Sequence, residues 1–256
     1  MQNTLYKKIS DVFKKLEAKS KKQKAFSSGF TFMELIFVIS IFGIMAGIVL
    51  FGFRTFGDKA ALDNLAQDIA LEIVGAQKAA ISGVSTTALP GFVPGTVPSY
   101  GVYFSDNSTD TVNPLNKQFT YFADNPPQNK LYDTSVLPCG TSGLECISTT
   151  AITTGEYISN ICYDTASSSV PNCVDSGSAH ITFIRPFPDA TMKVCDTSTG
   201  SCTGLGLGAI RTYIEISSGA DTTQKRTIVV NSLGEVRVAN GGAHDVYCAA
   251  GGLSGC

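Results

Sequence analysis

Apolar residues run almost without interruption through the N-terminal part of the chain. From Phe30 to Phe53 only Thr31, Glu34 and Ser40 are polar, apart from the glycines. An α-helix rises about 1.5 Å per residue, so a run of this length spans the roughly 30 Å hydrocarbon core of a bilayer. The pattern predicts a helix of membrane length over residues 30–56.

The pattern changes after Gly57, where apolar residues recur every three or four positions. Charged and amide side chains fill the positions between them. This spacing is typical of an amphipathic helix with one buried face. The apolar positions are Leu62, Leu65, Ile69, Ile73, Ala76 and Ala80. The amphipathic segment is predicted over residues 57–83, with the helix ending near Ser82 and Gly83 just past its end.

Short runs rich in β-branched and aromatic residues follow a loop that contains Pro90, Pro94 and Pro98. These runs predict strands, and the segment KRTIVVNSLGEVRV predicts two strands joined by a turn at residues 231–234. The other strand-like runs are SYGVYF, QFTYF, EYISNICY, AHITFI, TMKVC and IRTYIEI. The sequence therefore predicts an α+β chain, with a long N-terminal helix and an antiparallel β head domain over residues 84–256.

Charge is distributed asymmetrically. Residues 1–29 contain eight lysines and two acidic residues, a net charge of +6, and the whole chain has −2, so the remainder has −8. A basic segment in front of an apolar span stays in the cytoplasm by the positive-inside rule. The acidic remainder is then expected on the other side of the membrane.

All eight cysteines lie in the C-terminal half, where they form four neighbouring pairs along the chain. In a translocated domain an even number of cysteines is typical of disulfides, although eight cysteines allow 105 connectivities. The sequential pairing gives Cys139–Cys146, Cys162–Cys173, Cys195–Cys202 and Cys248–Cys256 as candidates. No Cys-x-x-Cys occurs, and only His180 and His244 offer imidazole, so no metal site and no cofactor is predicted.

Three interpretations of the apolar segment compete. A secretory signal peptide would be shorter and followed by a small-x-small cleavage site, and a plain anchor gives Glu34 no role. In the third interpretation the chain is cut between Gly29 and Phe30, in front of the apolar run, and Glu34 becomes the fifth residue. A basic leader, Gly, Phe, a glutamate at the fifth position and an apolar helix occur here in that order. This N-terminus resembles that of the type IV pilin and type II secretion pseudopilin superfamily.

The resemblance implies a pilin-like fold and a structural role. A prepilin peptidase would cleave after Gly29 and methylate the Phe30 nitrogen, leaving residues 1–29 as a removed leader. Glu34 would pair with the Phe30 amine of a neighbouring subunit during assembly. The implied partners are other pilin subunits, the peptidase and an inner-membrane assembly platform. The precursor would be a single-pass protein of the cytoplasmic membrane, and the subunit would then enter a pilus or pseudopilus outside the cytoplasm.

Parts of the mature chain are also similar to the GspH/FimT family of minor pilins. The similarity is carried by LDNLAQDIALEIVGAQKAAISG, ITFIRPFPDAT and RTIVVNSLGEVRV, whereas residues 124–179 match nothing in that family. Some members take up DNA through a Gly-Arg-x-Arg pattern. Here Glu235 stands in place of the first arginine, which puts a carboxylate where a phosphate contact belongs.

Nucleic-acid binding is therefore not the preferred interpretation. The candidate contacts would be Arg211, Lys225, Arg226 and Arg237. In a segment of charge −8 these cations are more simply interpreted as solvated strand-edge residues. The alternatives to a structural subunit are a tip pilin that binds DNA or a surface ligand, and a membrane-tethered extracytoplasmic enzyme. No phosphate-binding loop or dinucleotide fingerprint occurs, so an enzyme is not predicted.

Overall fold

The computed structural model describes residues 29–83, 98–108, 115–125, 128–133, 139, 145–165, 170–174, 176–196, 201–204 and 209–249. Apart from Gly29, the predicted leader lies outside the described residues. The chain divides into two compact units, Met1–Gly52 and Phe53–Cys256.

The first unit contains the start of a continuous helix, α1, which runs from Phe32 to Ser82. Thr31 precedes the helix, and its Oγ1 accepts a hydrogen bond of 3.3 Å from the Glu34 N–H, as an N-cap residue does. Residues Phe32–Leu50 have a mean hydropathy of 2.5, and none of them is buried. The segment is long and apolar enough for a single-pass membrane anchor or a signal sequence.

In the second unit α1 becomes amphipathic, as the sequence predicts. One row of its side chains is fully buried, and this row consists of Leu62, Ala66, Ile69, Ile73, Ala76 and Ala80. Residues between them, such as Gln67 and Lys78, are exposed. Gly83 adopts a left-handed conformation with φ of 62°, and its N–H donates to the Ala80 carbonyl at 3.2 Å. The helix ends in the manner expected of a glycine at this position.

Strands within the described residues form two antiparallel sheets. The six-stranded sheet has the order β3-β2-β1-β6-β7-β8, and the five-stranded sheet has the order β11-β10-β9-β4-β5. The strands are β1 (Ser99–Ser105), β2 (Gln118–Asp124), β3 (Cys146–Ala151), β4 (Tyr157–Thr165), β5 (Asn172–Val174), β6 (Gly177–Phe183), β7 (Ala190–Asp196), β8 (Ser201–Gly204), β9 (Ala209–Ser217), β10 (Lys225–Asn231) and β11 (Val236–Asn240). A 3-10 turn (Leu115–Lys117) precedes β2, and a short helix, α2 (Ala243–Ala249), follows β11.

One apolar cluster joins the buried row of α1 to the inner faces of both sheets. The six-stranded sheet contributes residues such as Phe104 and Ile181, and the five-stranded sheet contributes Ile214 and Ile228. These inner residues alternate along their strands with residues on the outer faces, as the period of two requires. The helix and both sheets of the second unit therefore share one apolar core.

All eight strand-like runs form strands, and the turn at residues 231–234 joins β10 to β11. Gly234 has φ of 81°, and its N–H donates to the Asn231 carbonyl at 2.9 Å. Three short strands, β3, β5 and β8, and the helix α2 were not predicted. Each of them has at most seven residues and lacks a clear hydrophobic period.

Three disulfides join Cys139 to Cys146, Cys162 to Cys173 and Cys195 to Cys202. The second and third link directly paired residues of neighbouring strands, β4 with β5 and β7 with β8. Each disulfide involves an edge strand of its sheet, since β3, β5 and β8 lie at sheet edges. The fourth candidate pair ends at Cys256, which lies outside the described residues.

Polar contacts also fix α1 of the second unit against the strands. The Arg226 guanidinium on β10 makes two hydrogen bonds to the Asp63 carboxylate, one of them 3.2 Å long. Near the other end of the helix, Gln77 Nε2 donates to the carbonyls of Pro188 and Gly234 at 2.9 and 3.1 Å. The buried row thus has a polar attachment towards each end.

The packing predicts a sharp contrast between two neighbouring positions of α1. Ile73 is fully buried and Leu71 is 68% exposed. Ile73→Ala should lower the free energy of unfolding by about 2–5 kcal/mol, because it removes apolar contacts and leaves a cavity. Leu71→Ala, the matched control, should change it by no more than about 0.5 kcal/mol. Denaturant titration of the full chain in non-ionic detergent measures both, and equal losses would contradict this packing.

Candidate functional site

The predicted processing and assembly residues lie together at the start of the described chain. Gly29 and Phe30 are both exposed, and Phe30 stands two residues before the first residue of α1. Glu34 belongs to the first helical turn and is exposed among apolar neighbours that are also exposed. Among the described residues no cation forms a salt bridge with Glu34.

Three of the four predicted nucleic-acid contacts face carboxylates. Arg226 pairs with Asp63, as described above. Lys225 Nζ lies 2.8 Å from Glu215 Oε1, and Arg211 Nη1 lies 3.9 Å from Asp164 Oδ2. Only Arg237 of the four is exposed and has no carboxylate partner in the part of the chain that the structure describes. The positive charges are therefore largely neutralised within the protein, which counts against a phosphate-binding surface.

Glu215 connects the five-stranded sheet to α2. Its carboxylate is buried and accepts hydrogen bonds from Lys225 Nζ at 2.8 Å, from Ser159 Oγ at 3.0 Å and from the Ala243 N–H at 2.9 Å. The last of these satisfies an N–H in the first turn of α2. Lys225 thus has a structural role, because it pairs with the carboxylate that positions α2 over part of the outer face of this sheet.

A cleft of about 260 Å³ opens on the same outer face. We call it the arginine cleft, and it is lined by Arg211, Val229, Asn231, Glu235 and Arg237. The sheet register explains why these residues meet, because Arg211 pairs with Asn231 across β9 and β10, and Val229 pairs with Arg237 across β10 and β11. The sequence alone marks Arg211 and Arg237 only as possible phosphate contacts.

A hydrogen-bonded pair anchors Arg211 of the arginine cleft. The Tyr213 hydroxyl donates to Asp164 Oδ2 at 2.9 Å, and both residues are buried. Burial is the main cause that raises the pKa of Tyr213 to about 12. A hydrogen bond with Tyr213 is the largest cause that raises the pKa of Arg211, so its guanidinium stays charged. Arg211, which faces the cleft, is therefore held in place by Tyr213 and Asp164.

A second polar cluster lies on the outer face of the six-stranded sheet, and sequence analysis missed it. Here buried side chains bind the backbone of the segment that follows β2. Glu145 accepts from the N–H groups of Asn125 and Asp133 at 3.2 and 2.8 Å, and Asp124 accepts from the Lys130 N–H at 2.9 Å. These contacts hold Asn125 and residues 128–133 over the sheet.

His180 completes this cluster and has a structural role. Its Nδ1 accepts a hydrogen bond of 2.8 Å from the Tyr132 N–H, so the imidazole is neutral at this nitrogen. The Tyr103 ring lies between the rings of His180 and Tyr132, at 4.9 and 5.1 Å. Lys193, paired with His180 across β6 and β7, donates to the Asn129 carbonyl at 2.7 Å. The segment after β2 is therefore also held by the packing of the Tyr132 ring and by the hydrogen bond from Lys193.

Burial shifts the two titrating groups of the cluster in opposite directions. It raises the pKa of Glu145 to about 7, helped by the nearby carboxylates of Asp133 and Asp124 and opposed by the two N–H donors. It lowers the pKa of His180 to about 3, and the positive charge of Lys193 adds to this effect. Both groups are therefore disposed to remain uncharged when the fold is intact.

No group of three or more His, Cys, Asp or Glu side chains suited to a metal ion occurs within the described ranges. The loop at residues 106–110, whose alternating oxygens are interpreted as a polar hairpin loop rather than a calcium site, is described only as far as Ser108. His244 lies in α2, where its neighbours Ala243, Val246 and Tyr247 pack onto Tyr213 and Val229.

Comparisons with known proteins find no counterpart for this chain. No protein-family model, no curated protein and no solved structure matches it.

The cluster around Glu145 predicts opposite pH dependences for two variants. The folded state binds the Glu145 proton more tightly than the unfolded state, so this residue adds stability as the pH falls from about 7 to 4.5. The unfolded state binds the His180 proton more tightly, so this residue removes stability as the pH falls from 6.5 to about 3. The two effects oppose each other between pH 6.5 and 4.5.

Denaturant titrations of the full chain across this pH range test the assignment. Relative to wild type, Glu145→Gln should become progressively less stable as the pH falls from 7 to 4.5. His180→Gln should become progressively more stable, relative to wild type, over the interval from 6.5 to 4.5. A stability difference that is independent of pH for both variants would show that neither group titrates as assigned.

Proposed function

We propose that this chain is a structural subunit of a type IV pilus or a type II secretion pseudopilus, and more specifically a minor one. It is cleaved after Gly29, methylated on the Phe30 nitrogen and polymerised through the first part of α1. The observation that carries the proposal is the lone carboxylate of Glu34. It stands in the first turn of α1, in the otherwise uncharged and exposed apolar segment Phe32–Leu50, and later residues of the same helix belong to the core of the second unit.

The exposed apolar surface has to be covered. The segment Phe32–Leu50 is apolar around its whole circumference, and side chains such as Phe37, Ile44 and Leu50 are exposed. Covering apolar surface stabilises by roughly 25 cal/mol per Å², and an unbroken apolar helix is found in lipid or among other helices. Lipid covers it in the membrane precursor, and the corresponding helices of other subunits cover it in the filament.

Glu34 then has a defined role. A carboxylate within an apolar membrane segment costs about 2.5–3.5 kcal/mol on insertion scales and persists where it finds a partner. Cleavage after Gly29 creates an α-amino group on Phe30, the missing cation. Pairing between Glu34 of one subunit and the Phe30 amine of the next neutralises both charges and sets the axial register.

The second unit supplies the surface of the filament. Its disulfides favour an oxidising compartment, in agreement with translocation of the acidic part of the chain. The internal pairing of Arg211, Lys225 and Arg226 disfavours DNA capture as its main work. The patchy similarity to GspH/FimT sequences supports a minor subunit. The partners are other pilin subunits, a prepilin peptidase and an inner-membrane assembly platform.

The first test is the state of the N-terminus in cells that contain the assembly machinery. Mass spectrometry of the mature chain should find N-methylated Phe30 as its first residue. An intact chain that starts at Met1, or a cut on the C-terminal side of the apolar segment, would refute the proposal.

The second test neutralises one carboxylate at a time. Glu34→Gln should reduce the amount of chain in sheared filaments by tenfold or more, because an unpaired partner of a buried ion pair costs about 3–5 kcal/mol. Asp68→Asn removes a charge from an exposed position of the same helix and is the matched control. Immunoblots of sheared and membrane fractions measure the distribution. Equal assembly of both variants would contradict the role given to Glu34.

A further inference from the structure

We propose that the arginine cleft is a binding site for a small carboxylate that also carries a hydroxyl or ammonium donor. A uronic acid and an amino acid both have this chemistry. The site lies on the outer face of the five-stranded sheet, and the inference does not depend on filament assembly.

The sheet sets the spacing of the two guanidinium groups. Arg211 lies on β9 and Arg237 on β11, on either side of β10, and neighbouring strands are about 4.8 Å apart. Val229 and Asn231 of β10 form the floor between them. Because Arg211 pairs with Asn231 and Arg237 with Val229, the two cations face the cleft from diagonal positions.

Most of the lining is held in place before any ligand arrives. Arg211 is anchored by Asp164 and Tyr213. Asn231 Oδ1 accepts from the N–H groups of Leu233 and Glu235 at 3.1 and 2.9 Å, and Asn231 Nδ2 donates to Glu235 Oε2 at 2.8 Å. A lining fixed in this way loses little conformational entropy on binding, which favours affinity.

The charges of the lining favour an anion at Arg237. Arg211 is already paired with Asp164, and Glu235 adds a negative charge to the lining. Arg237 has no carboxylate partner among the described residues. A guanidinium presents a planar fork of N–H donors that matches the two oxygens of a carboxylate.

Glu235 restricts the class of ligand further. Its carboxylate repels a second negative charge on the ligand, which disfavours a phosphate dianion. Since Asn231 occupies Oε2, Oε1 is placed to accept from a hydroxyl or ammonium group of the ligand. The volume of about 260 Å³ lies just below the usual range for small-molecule pockets, so the ligand is small, and Val229 offers it one apolar contact.

Calorimetric titration of the full chain in non-ionic detergent tests the site. Glucuronate and serine represent the two sources of ligand, and glucose, acetate, phosphate and a short oligonucleotide are the comparison probes. We expect saturable binding of glucuronate or serine, which identifies the source, and at least tenfold weaker binding of the comparison probes. Arg237→Gln should weaken binding by about tenfold or more, since a hydrogen bond to a charged group is lost.

Two variants separate recognition from loss of structure. Lys78→Gln removes a positive charge from an exposed position of α1 and should leave the affinity unchanged. Glu235→Gln keeps an acceptor for Asn231 but removes the negative charge, so it should strengthen phosphate binding while it weakens discrimination in favour of glucuronate or serine. A damaged fold would not produce this gain.

Three outcomes would overturn the proposal. They are unchanged affinity in Arg237→Gln, binding of phosphate or the oligonucleotide in preference to both carboxylate ligands, and no saturable binding of glucuronate or serine.

Discussion

The second unit depends on the burial of one helical row in a core that it shares with both sheets. The residues from Leu62 to Ala80 on this row are in the same apolar cluster as the inner residues of both sheets. Each sheet covers one of its own faces with this shared core, and the other face carries polar clusters, a short helix or a tethered segment. Without the helical row, the inner faces would lose the apolar partner that they share. The attachments at Asp63 and Gln77 fix the helix axially, which apolar contacts alone do less well.

The same helix has two surfaces suited to two surroundings. Towards its N-terminus it is apolar on every side, and after Gly57 it keeps only one apolar face. A change of this kind is readable in the sequence, because both patterns extend over many residues and the helical period is regular. The strands were readable for a similar reason, since alternation in segments such as Ile210–Ile216 distinguishes an inner face from an outer one. The end of α1 at Gly83 and the turn that contains Gly234 follow from local glycine chemistry.

The parts that sequence analysis missed are set by contacts between distant residues. The strands β3, β5 and β8 are too short for a hydrophobic period, and they exist because a neighbouring strand offers a free edge. The cluster of Asp124, Glu145 and His180 joins three separate parts of the chain, and no local pattern marks it. Part of the arginine cleft could be predicted, since the sequence marks Arg211 and Arg237 as candidate contacts. Only the register of the sheet shows that the two arginines lie on either side of β10 and that Glu235 lies beside them.

Covalent cross-links and apolar packing protect different parts of the second unit. Each disulfide attaches an edge strand, β3, β5 or β8. These strands are short and pair with a neighbour on one side only, so few hydrogen bonds hold them. The centre of both sheets, by contrast, is held by the helical row. Reduction of the disulfides would therefore release the edge strands β3, β5 and β8, while the central strands of both sheets stay folded. Of the four outermost strands within the described residues, β11 alone lacks such a cross-link, so its pairing with β10 has to survive on hydrogen bonds and side-chain contacts.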